Sequence, residues 1–340
     1  RSKTNHFSGH RRFFNIRMSC PSVPVTDLRI DHSVCLGTGK FGVVRTCTWA
    51  NSGDQVYALK CIDRAKVSSG QRSIRNIFSE KEALIAFEKS PFIITLFGTS
   101  KDERSLYFLM ELVNGKPLYV HSRRGVFRSN MEVTSYISSQ VLCALEFIHK
   151  SGYIYRDLKG SNVLVQCDGF IKLIDFGFCK QTSGRCFTFC GTLHAMAPEI
   201  LGQQLSSGNN GYGRWVDFWA FGVLLYEMCL GDPPCTSTSP EEMLKQTSEG
   251  YNFRSLQDAI CRRHNADTVT PLQSALWLQC SHLLRKLWQP QLSDRLGYAG
   301  VQSIKDDPFF GNISWEALEN GKHHGDIIAD CRTVLLDNKS

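Results

Sequence analysis

The stretch Tyr155-Arg156-Asp157-Leu158-Lys159-Gly160-Ser161-Asn162, followed by Asp175-Phe176-Gly177, holds two carboxylates, an amide and a lysine. Carboxylate and amide oxygens are ligands for a hard divalent cation, and a lysine beside them can meet a phosphate. The other carboxylate can serve as a base. These groups act together only if the chain brings Asp175 back to Asn162. Val163-Leu164-Val165-Gln166 and Phe170-Ile171-Lys172-Leu173-Ile174 are apolar runs on either side of Cys167-Asp168-Gly169. Such a pattern reads as a β-hairpin, because glycine supplies the positive φ of a tight turn. The hairpin returns the chain to its start and sets Asp175 beside Asn162 and Asp157. Acids and amides are also common at turns, so this stretch alone has an equally good structural reading.

Two upstream segments could complete such a site. Leu36-Gly37-Thr38-Gly39-Lys40-Phe41-Gly42-Val43-Val44-Arg45 contains a glycine-rich loop. Val43 and Val44 after the last glycine suggest that the loop joins two strands, whereas a dinucleotide fingerprint opens a helix. Glycines let backbone N–H groups close over phosphates without side-chain clash. Val56-Tyr57-Ala58-Leu59-Lys60-Cys61-Ile62 reads as a strand in which alternation puts Lys60 on the face of Ala58 and Ile62. A lone strand lysine is more often one that snorkels to solvent.

The elements that must position these groups follow from periodicity. Ser73 to Glu88 reads as an amphipathic helix, within which Glu80 is a candidate partner for Lys60. Phe92 to Leu96 and Leu106 to Leu112 read as strands about the polar turn Ser100 to Arg104. Asn114-Gly115-Lys116-Pro117 breaks that pattern, a natural hinge between a sheet-rich lobe and a helical one. Met131 to His149 and Val216 to Leu230 read as core helices. The latter carries Asp217 and Glu227 and is shorter than the ~20 residues that span a bilayer.

Composition bounds the function classes. A chain of 340 residues, 42% hydrophobic and 21% charged, has ample core for one large domain or two lobes. The net charge of +7 is partly local, in the basic and aromatic run His10 to Arg17, read as a solvated tail. No aromatic-basic pattern continues from it, which argues against nucleic acid. The 14 cysteines show no zinc spacing and fit free thiols in a cytoplasmic protein. No integral membrane segment or signal peptide is recognisable, and a chain opening on Arg reads as a piece of a longer one.

The glycine loop, the strand lysine, Tyr155-Arg156-Asp157-Leu158-Lys159 with Asn162, Asp175-Phe176-Gly177 and Ala197-Pro198-Glu199 stand in the order of protein kinases. Over roughly residues 30 to 320 the chain resembles the AGC group of serine/threonine kinases, and the cyclic-nucleotide-dependent enzymes most. That leaning rests on Ser79-Glu80-Lys81, Phe187-Thr188-Phe189-Cys190-Gly191-Thr192 and Ile313-Ser314-Trp315-Glu316-Ala317-Leu318, with the cyclic GMP-dependent type slightly ahead. The resemblance implies an α+β, bilobal kinase fold, with a small antiparallel sheet lobe bearing one main helix and a larger helical lobe. The expected division is an N-terminal extension over 1–27, a small lobe over 28–113, a large lobe over 114–310 and an incomplete AGC tail over 311–340.

The implied function is transfer of the ATP γ-phosphate to a serine or threonine of a protein substrate. Asp157 is then the base and Lys159 neutralises the transferring phosphoryl, while Asn162 and Asp175 hold Mg²⁺. Lys60, fixed by Glu80, holds phosphates under the loop Gly37, Thr38, Gly39, Lys40, Phe41 and Gly42. Adenine would lie between Val44 and Ala58 above and Leu164 below, with Met110 as gatekeeper and hydrogen bonds at Glu111 and Val113. Thr188 stands at the place of an activating phosphothreonine, whose phosphate would pair with Arg156 and Lys180. Family logic also pairs Glu199 with Arg295 and anchors the catalytic loop from Asp217. A cyclic-nucleotide-binding regulatory region or subunit is an implied partner.

Departures from the family pattern bear on substrate. Pro117 and Ser161 stand where acids receive a substrate arginine, and Leu193-His194-Ala195 replaces Pro-Glu-Tyr, leaving Glu227 alone among those acids. The expectation is a weakened or altered preference for basic residues. Gly202 to Arg214 and Gln257 to Leu278 are longer than the family norm, and residues 319–340 lack the paired phenylalanines of the usual tail. The rival reading is a pseudokinase scaffold that binds nucleotide without chemistry; the presence of Lys60, Asp157, Asn162 and Asp175 weighs against it.

Overall fold

A computed structural model describes residues 20–39, 42–67, 71–205, 211–249, 251, 270–321, 331 and 335. Lys40 and Phe41, the basic run at 10–17, residues 206–210 and 257–269 of the two long stretches, and most of 319–340 lie outside the described residues.

Five strands form an antiparallel sheet in the order β1-β2-β3-β5-β4: β1 (Leu28–Gly39), β2 (Gly42–Trp49), β3 (Val56–Asp63), β4 (Leu96–Lys101) and β5 (Ser105–Met110). Both faces are apolar. On β3, Tyr57 and Leu59 join a small outer cluster with Val23, Cys47 and Leu109, while Ala58 and Ile62 face the main core. Lys60 shares the face of the latter pair, as strand alternation requires. After the short α1 (Arg64–Val67), the helix α2 (Gln71–Ala86) covers that face with Ile77, Ala83 and Leu84.

The apolar run Phe92 to Leu96 is not a strand until its last residue. Its buried side chains close the junction with the larger lobe instead: Ile94 N–H donates to Leu173 O at 3.1 Å and Leu173 N–H to Phe92 O at 2.7 Å. The strand expected to reach Leu112 stops at Met110. Beyond it Gly115–Pro117 forms β6, paired with β8 (Val163–Gln166), so the expected hinge ends in a strand. A Cβ on Gly115 would stand 2.7 Å from Val165 O, so only glycine permits this pairing.

The larger lobe is helical: α3 (Leu118–Arg123), α4 (Val126–Ser129), α5 (Met131–Lys150), α6 (Pro198–Leu205), α7 (Trp215–Leu230), α8 (Pro240–Ser248), α9 (Pro271–Leu287), α10 (Gln302–Lys305) and α11 (Trp315–Glu319). Asn130 caps α5, its side chain accepting from the N–H groups of Glu132 and Val133. The strand β7 (Tyr153–Ile154) pairs with β10 (Lys180–Gln181), and β8 with β9 (Ile171–Leu173) in the hairpin read from the sequence. Among the described residues no helix is long and apolar enough to cross a membrane.

Candidate active site

The catalytic stretch is held in a backbone form that the chain would not choose alone. Among the described residues, Arg156 and Asp175 are the non-glycine residues with positive φ, at 69° and 58°. Such a conformation costs a non-glycine residue about 1–3 kcal/mol, so its surroundings must enforce it. Asp217 of α7 does this for Arg156, accepting the N–H of Tyr155 at 3.0 Å and of Arg156 at 2.8 Å. His149 lies 2.7 Å from the same carboxylate, a partner the sequence reading missed. Aromatic packing fixes Asp175. Phe176 is buried between Phe87 and Tyr155, with ring centroids 5.5 and 5.3 Å away, and the Tyr155 hydroxyl donates to Ile174 O at 2.5 Å.

The hairpin brings the acidic groups together. Ile174 N–H donates to Asn162 O at 2.9 Å, which sets the start of Asp175 against Asn162. Asn162 donates to the backbone and the side chain of Asp157, at 2.9 and 3.0 Å. Asp157 is 3% exposed, with Lys159 Nζ at 2.8 Å from its Oδ2. Its Oδ1 accepts the Thr192 hydroxyl at 2.6 Å, and Thr192 also receives Lys159 at 3.0 Å. Thr192 thus belongs to the site without having been assigned a part in it from sequence. Gly191 beside it has φ 106°, and a Cβ there would meet Arg156 O at 2.5 Å. That Gly-Thr pair was the available signal.

Lys60 Nζ lies 2.5 Å from Glu80 Oε1 and 3.7 Å from Asp175 Oδ1. Burial works against the lysine charge, but the Glu80 and Asp175 carboxylates outweigh it and raise its pKa. The cation therefore stays charged at the base of the cleft, between the two lobes' acids.

Several groups at this cleft are uncommitted. Among the described residues, a Cβ built on Gly37 meets nothing within 4 Å, and one on Gly39 only Gly42 O at 4.0 Å, so space is open beside both glycines. Gly42 is different: its Cβ would fall 1.8 Å from Cys61 O. Glu111 N–H is taken by Thr95 O and Val113 O by Gly115 N–H, while Glu111 O and Val113 N–H have no hydrogen bond among the described residues. That is one acceptor and one donor on an extended segment, the edge an adenine matches. The Glu111 side chain is turned away, 2.9 Å from Lys172. Ala58 and Met110 are buried and register-paired, and Val44 and Leu164 are half-buried. Asn162 Nδ2 is used by Asp157, and its Oδ1 accepts no hydrogen bond among the described residues. Among those residues no three His, Cys, Asp or Glu side chains are arranged to hold a metal. Asn162 and Asp175 are two ligands only, an amide oxygen and a carboxylate, which suits a cation that takes the rest from phosphates and water, as Mg²⁺ does. The donor set fits nucleotide and metal together.

The segment after Gly177 is anchored from α7's approach. Cys186 and Tyr212 exchange backbone hydrogen bonds at 2.7 and 2.8 Å, and Tyr212 is fully buried. Arg156 donates to Phe178 O at 2.7 Å and to the Tyr212 hydroxyl at 3.1 Å, and that hydroxyl donates to Thr188 O at 2.6 Å. The backbone of Lys180 pairs with that of Ile154. Glu199 and Arg295 form a two-pronged pair at 2.6 and 3.0 Å. Glu227 receives the Gly160 N–H, and burial pushes its carboxyl up to about 7.

Residues 31–310 match the protein kinase domain family. Over 310 residues the chain is 33% identical to "cGMP-dependent protein kinase, isozyme 1" of Drosophila melanogaster, covering 89% of this chain and 37% of that protein. It is 32% identical over 290 residues to "cAMP-dependent protein kinase, catalytic subunit-like" of Caenorhabditis briggsae, covering 85% and 68%. It is 34% identical over 307 residues to "cAMP-dependent protein kinase catalytic subunit PRKX" of Homo sapiens, covering 89% and 77%. The chain thus spans little over a third of the fly relative. Identities this close do not separate a cyclic GMP type from a cyclic AMP type.

Proposed function

The chain belongs to the protein kinase family, in its AGC group and with the family's bilobal α+β fold, and from that premise we propose that it transfers the γ-phosphate of ATP to serine or threonine hydroxyls of proteins. One observation carries the reading. A buried carboxylate, Asp157, sits with Lys159 Nζ at 2.8 Å and accepts from the Asn162 amide, against whose backbone the chain leading into Asp175 is hydrogen-bonded. A scaffold that had lost its chemistry would have no need to assemble these groups.

In this proposal Asp157 orients the acceptor hydroxyl and takes its proton as the oxygen attacks phosphorus. Lys159, already paired to Asp157, offers its charge to the phosphoryl in flight. Lys60, kept protonated and aimed by Glu80, holds the nucleotide phosphates below Gly37, Thr38, Gly39, Lys40, Phe41 and Gly42. Glu111 O and Val113 N–H set the adenine. Mg²⁺, held by Asn162 and Asp175 when bound, supplies positive charge to the phosphate oxygens. Catalysis of this kind is positioning and electrostatic stabilisation, because charge in the transition state spreads over the equatorial oxygens. We further propose 28–113 and 114–310 as the working lobes and Thr188 as a regulatory phosphorylation site. Protein substrates, a cyclic-nucleotide-binding region or subunit, and a cytoplasmic setting belong to the same reading.

Phosphotransfer from labelled ATP and Mg²⁺ to a Ser/Thr peptide library, beside Asp157→Asn, tests it. The expected result is incorporation that the variant lowers by about 10²- to 10⁴-fold, the usual contribution of a positioned base. ATP binding by the wild type with no incorporation would instead support the scaffold reading.

A further inference from the structure

A cavity of about 400 Å³ opens on the larger lobe, lined by Arg123, Arg128, Leu230, Gly231 and Asp232. It adjoins the catalytic loop. Tyr119 abuts Gly160, its Cβ 3.0 Å and its N 3.1 Å from where a Cβ on that glycine would stand, with Glu227 Oε1 at 3.0 Å on the other side. The Arg123 guanidinium lies 5.6 Å over the Tyr119 ring. Tyr119 thus touches both Arg123 of the cavity wall and Gly160, the residue after Lys159.

The fold holds the walls together. Gly231 closes α7 with φ 92°, and its Cβ position is 3.5 Å from Ser122 O and 3.7 Å from the Arg123 Cα. The end of α7 is thereby pressed on the end of α3, so that Asp232 and Arg123 line the same cavity. Arg128 lies across Gly125, where a Cβ would meet its Nε at 2.6 Å. A side chain at 125 would displace the guanidinium.

The charges on these walls do not cancel. Among the described residues neither Arg123 nor Arg128 has an acid within 4.0 Å. Asp232 is the one acid of the lining; Glu227 accepts the Gly160 N–H and feels the Arg123 charge without a direct contact. Pro117 and Ser161, nearer the catalytic loop, bring no carboxylate. Two guanidinium forks in a concave site, neither in direct contact with an acid, match a planar or tetrahedral oxyanion, which each can grip in two-pronged fashion.

We infer that this cavity is a substrate subsite for an anionic side chain, carboxylate or phosphate, carried within a few residues of the acceptor hydroxyl. The inference rests on the phosphotransfer reading for its substrate, but the binding it describes does not require chemistry. Selection of an acid or of a previously phosphorylated residue follows, where a basic residue would meet Arg123 and Arg128 and be repelled.

The test is fluorescence anisotropy with the full chain and labelled serine peptides. Each carries alanine, glutamate or phosphoserine at one position, up to about six residues either side of the acceptor, an extended reach of roughly 20 Å. At one position the anion should tighten binding by about tenfold, a difference of ~1.4 kcal/mol. Arg123→Gln with Arg128→Gln should bring all peptides to the alanine value while the thermal midpoint holds, since Arg123 is exposed and Arg128 half-buried. Preference for glutamate identifies a carboxylate ligand, and preference for phosphoserine alone a phosphate one. No anion preference at any position, or one that survives the double variant, overturns the subsite. Phosphotransfer to the same peptides keeps the two readings apart. Transfer without anion selection overturns the subsite alone, and anion-dependent binding without transfer sustains it against the kinase chemistry.

Discussion

Arg156 reaches the segment around Thr188 through the hydroxyl of Tyr212, which accepts from its guanidinium at 3.1 Å and donates to Thr188 O at 2.6 Å. One buried phenol thus joins the catalytic loop to the segment that the sequence analysis assigned to phosphate control. Burial raises the Tyr212 pKa, so the hydroxyl keeps the proton it donates.

Tyr212→Phe removes that hydroxyl and leaves a half-buried guanidinium nitrogen and a carbonyl without it. The expected loss is about 1.5–3 kcal/mol of stability, the usual worth of a hydrogen bond to a charged group. It should appear as a lower thermal midpoint together with slower phosphotransfer. Thr188→Ala keeps the carbonyl and tests the phosphate alone. Undiminished transfer in that variant would end the proposed role of Thr188, and an unchanged Tyr212→Phe protein would end that of the phenol.

Gly42 and Gly37 should respond oppositely to alanine. At Gly42 the new methyl meets Cys61 O at 1.8 Å, so β2 and β3 must part, and denaturant titration should show a loss of about 1–3 kcal/mol or more. At Gly37 the methyl enters open space. Stability should hold there while the KM for ATP rises severalfold, if phosphates occupy that space. A Gly37→Ala enzyme with unaltered KM argues that they do not.

Glu227 makes stability depend on pH. Its carboxyl titrates near 7 in the fold against an ordinary value near 4.5, because burial disfavours its charge. The folded state therefore binds more protons between these values, and its stability falls as pH rises from about 4.5 through 7. Glu227→Gln keeps an acceptor for the Gly160 N–H and removes the titration. It should be more stable than the parent at pH 8, by about 1–3 kcal/mol once partial exposure is allowed for, and indistinguishable at pH 4. Parallel pH profiles for the two proteins would refute the assignment.

Local chemistry was legible where the backbone itself enforces it. The alternation of β3 put Lys60 on the face of Ala58 and Ile62, and the Asp168-Gly169 turn put β9 back on β8. Apolar content alone misled at Phe92 to Leu96, since burial between lobes needs the same residues as a ladder. At Gly115 to Pro117 the turn-type residues of the hinge also pair with β8, because a glycine lets the backbone approach Val165 O.

The sequence by itself determined which groups the protein brings to its chemistry: the acids, the amide, the lysines and the glycines, with the hairpin and strand that carry them. Tertiary structure decided which other groups complete them. Thr192 on Asp157, His149 on Asp217, Lys172 on Glu111 and Tyr212 on Arg156 join residues 35, 68, 61 and 56 positions apart. A hydrogen bond needs about 3 Å and a narrow angle. No local periodicity constrains a distance between segments so far apart, and only the packing of α7, the hairpin and the segment after Gly177 against one core sets it.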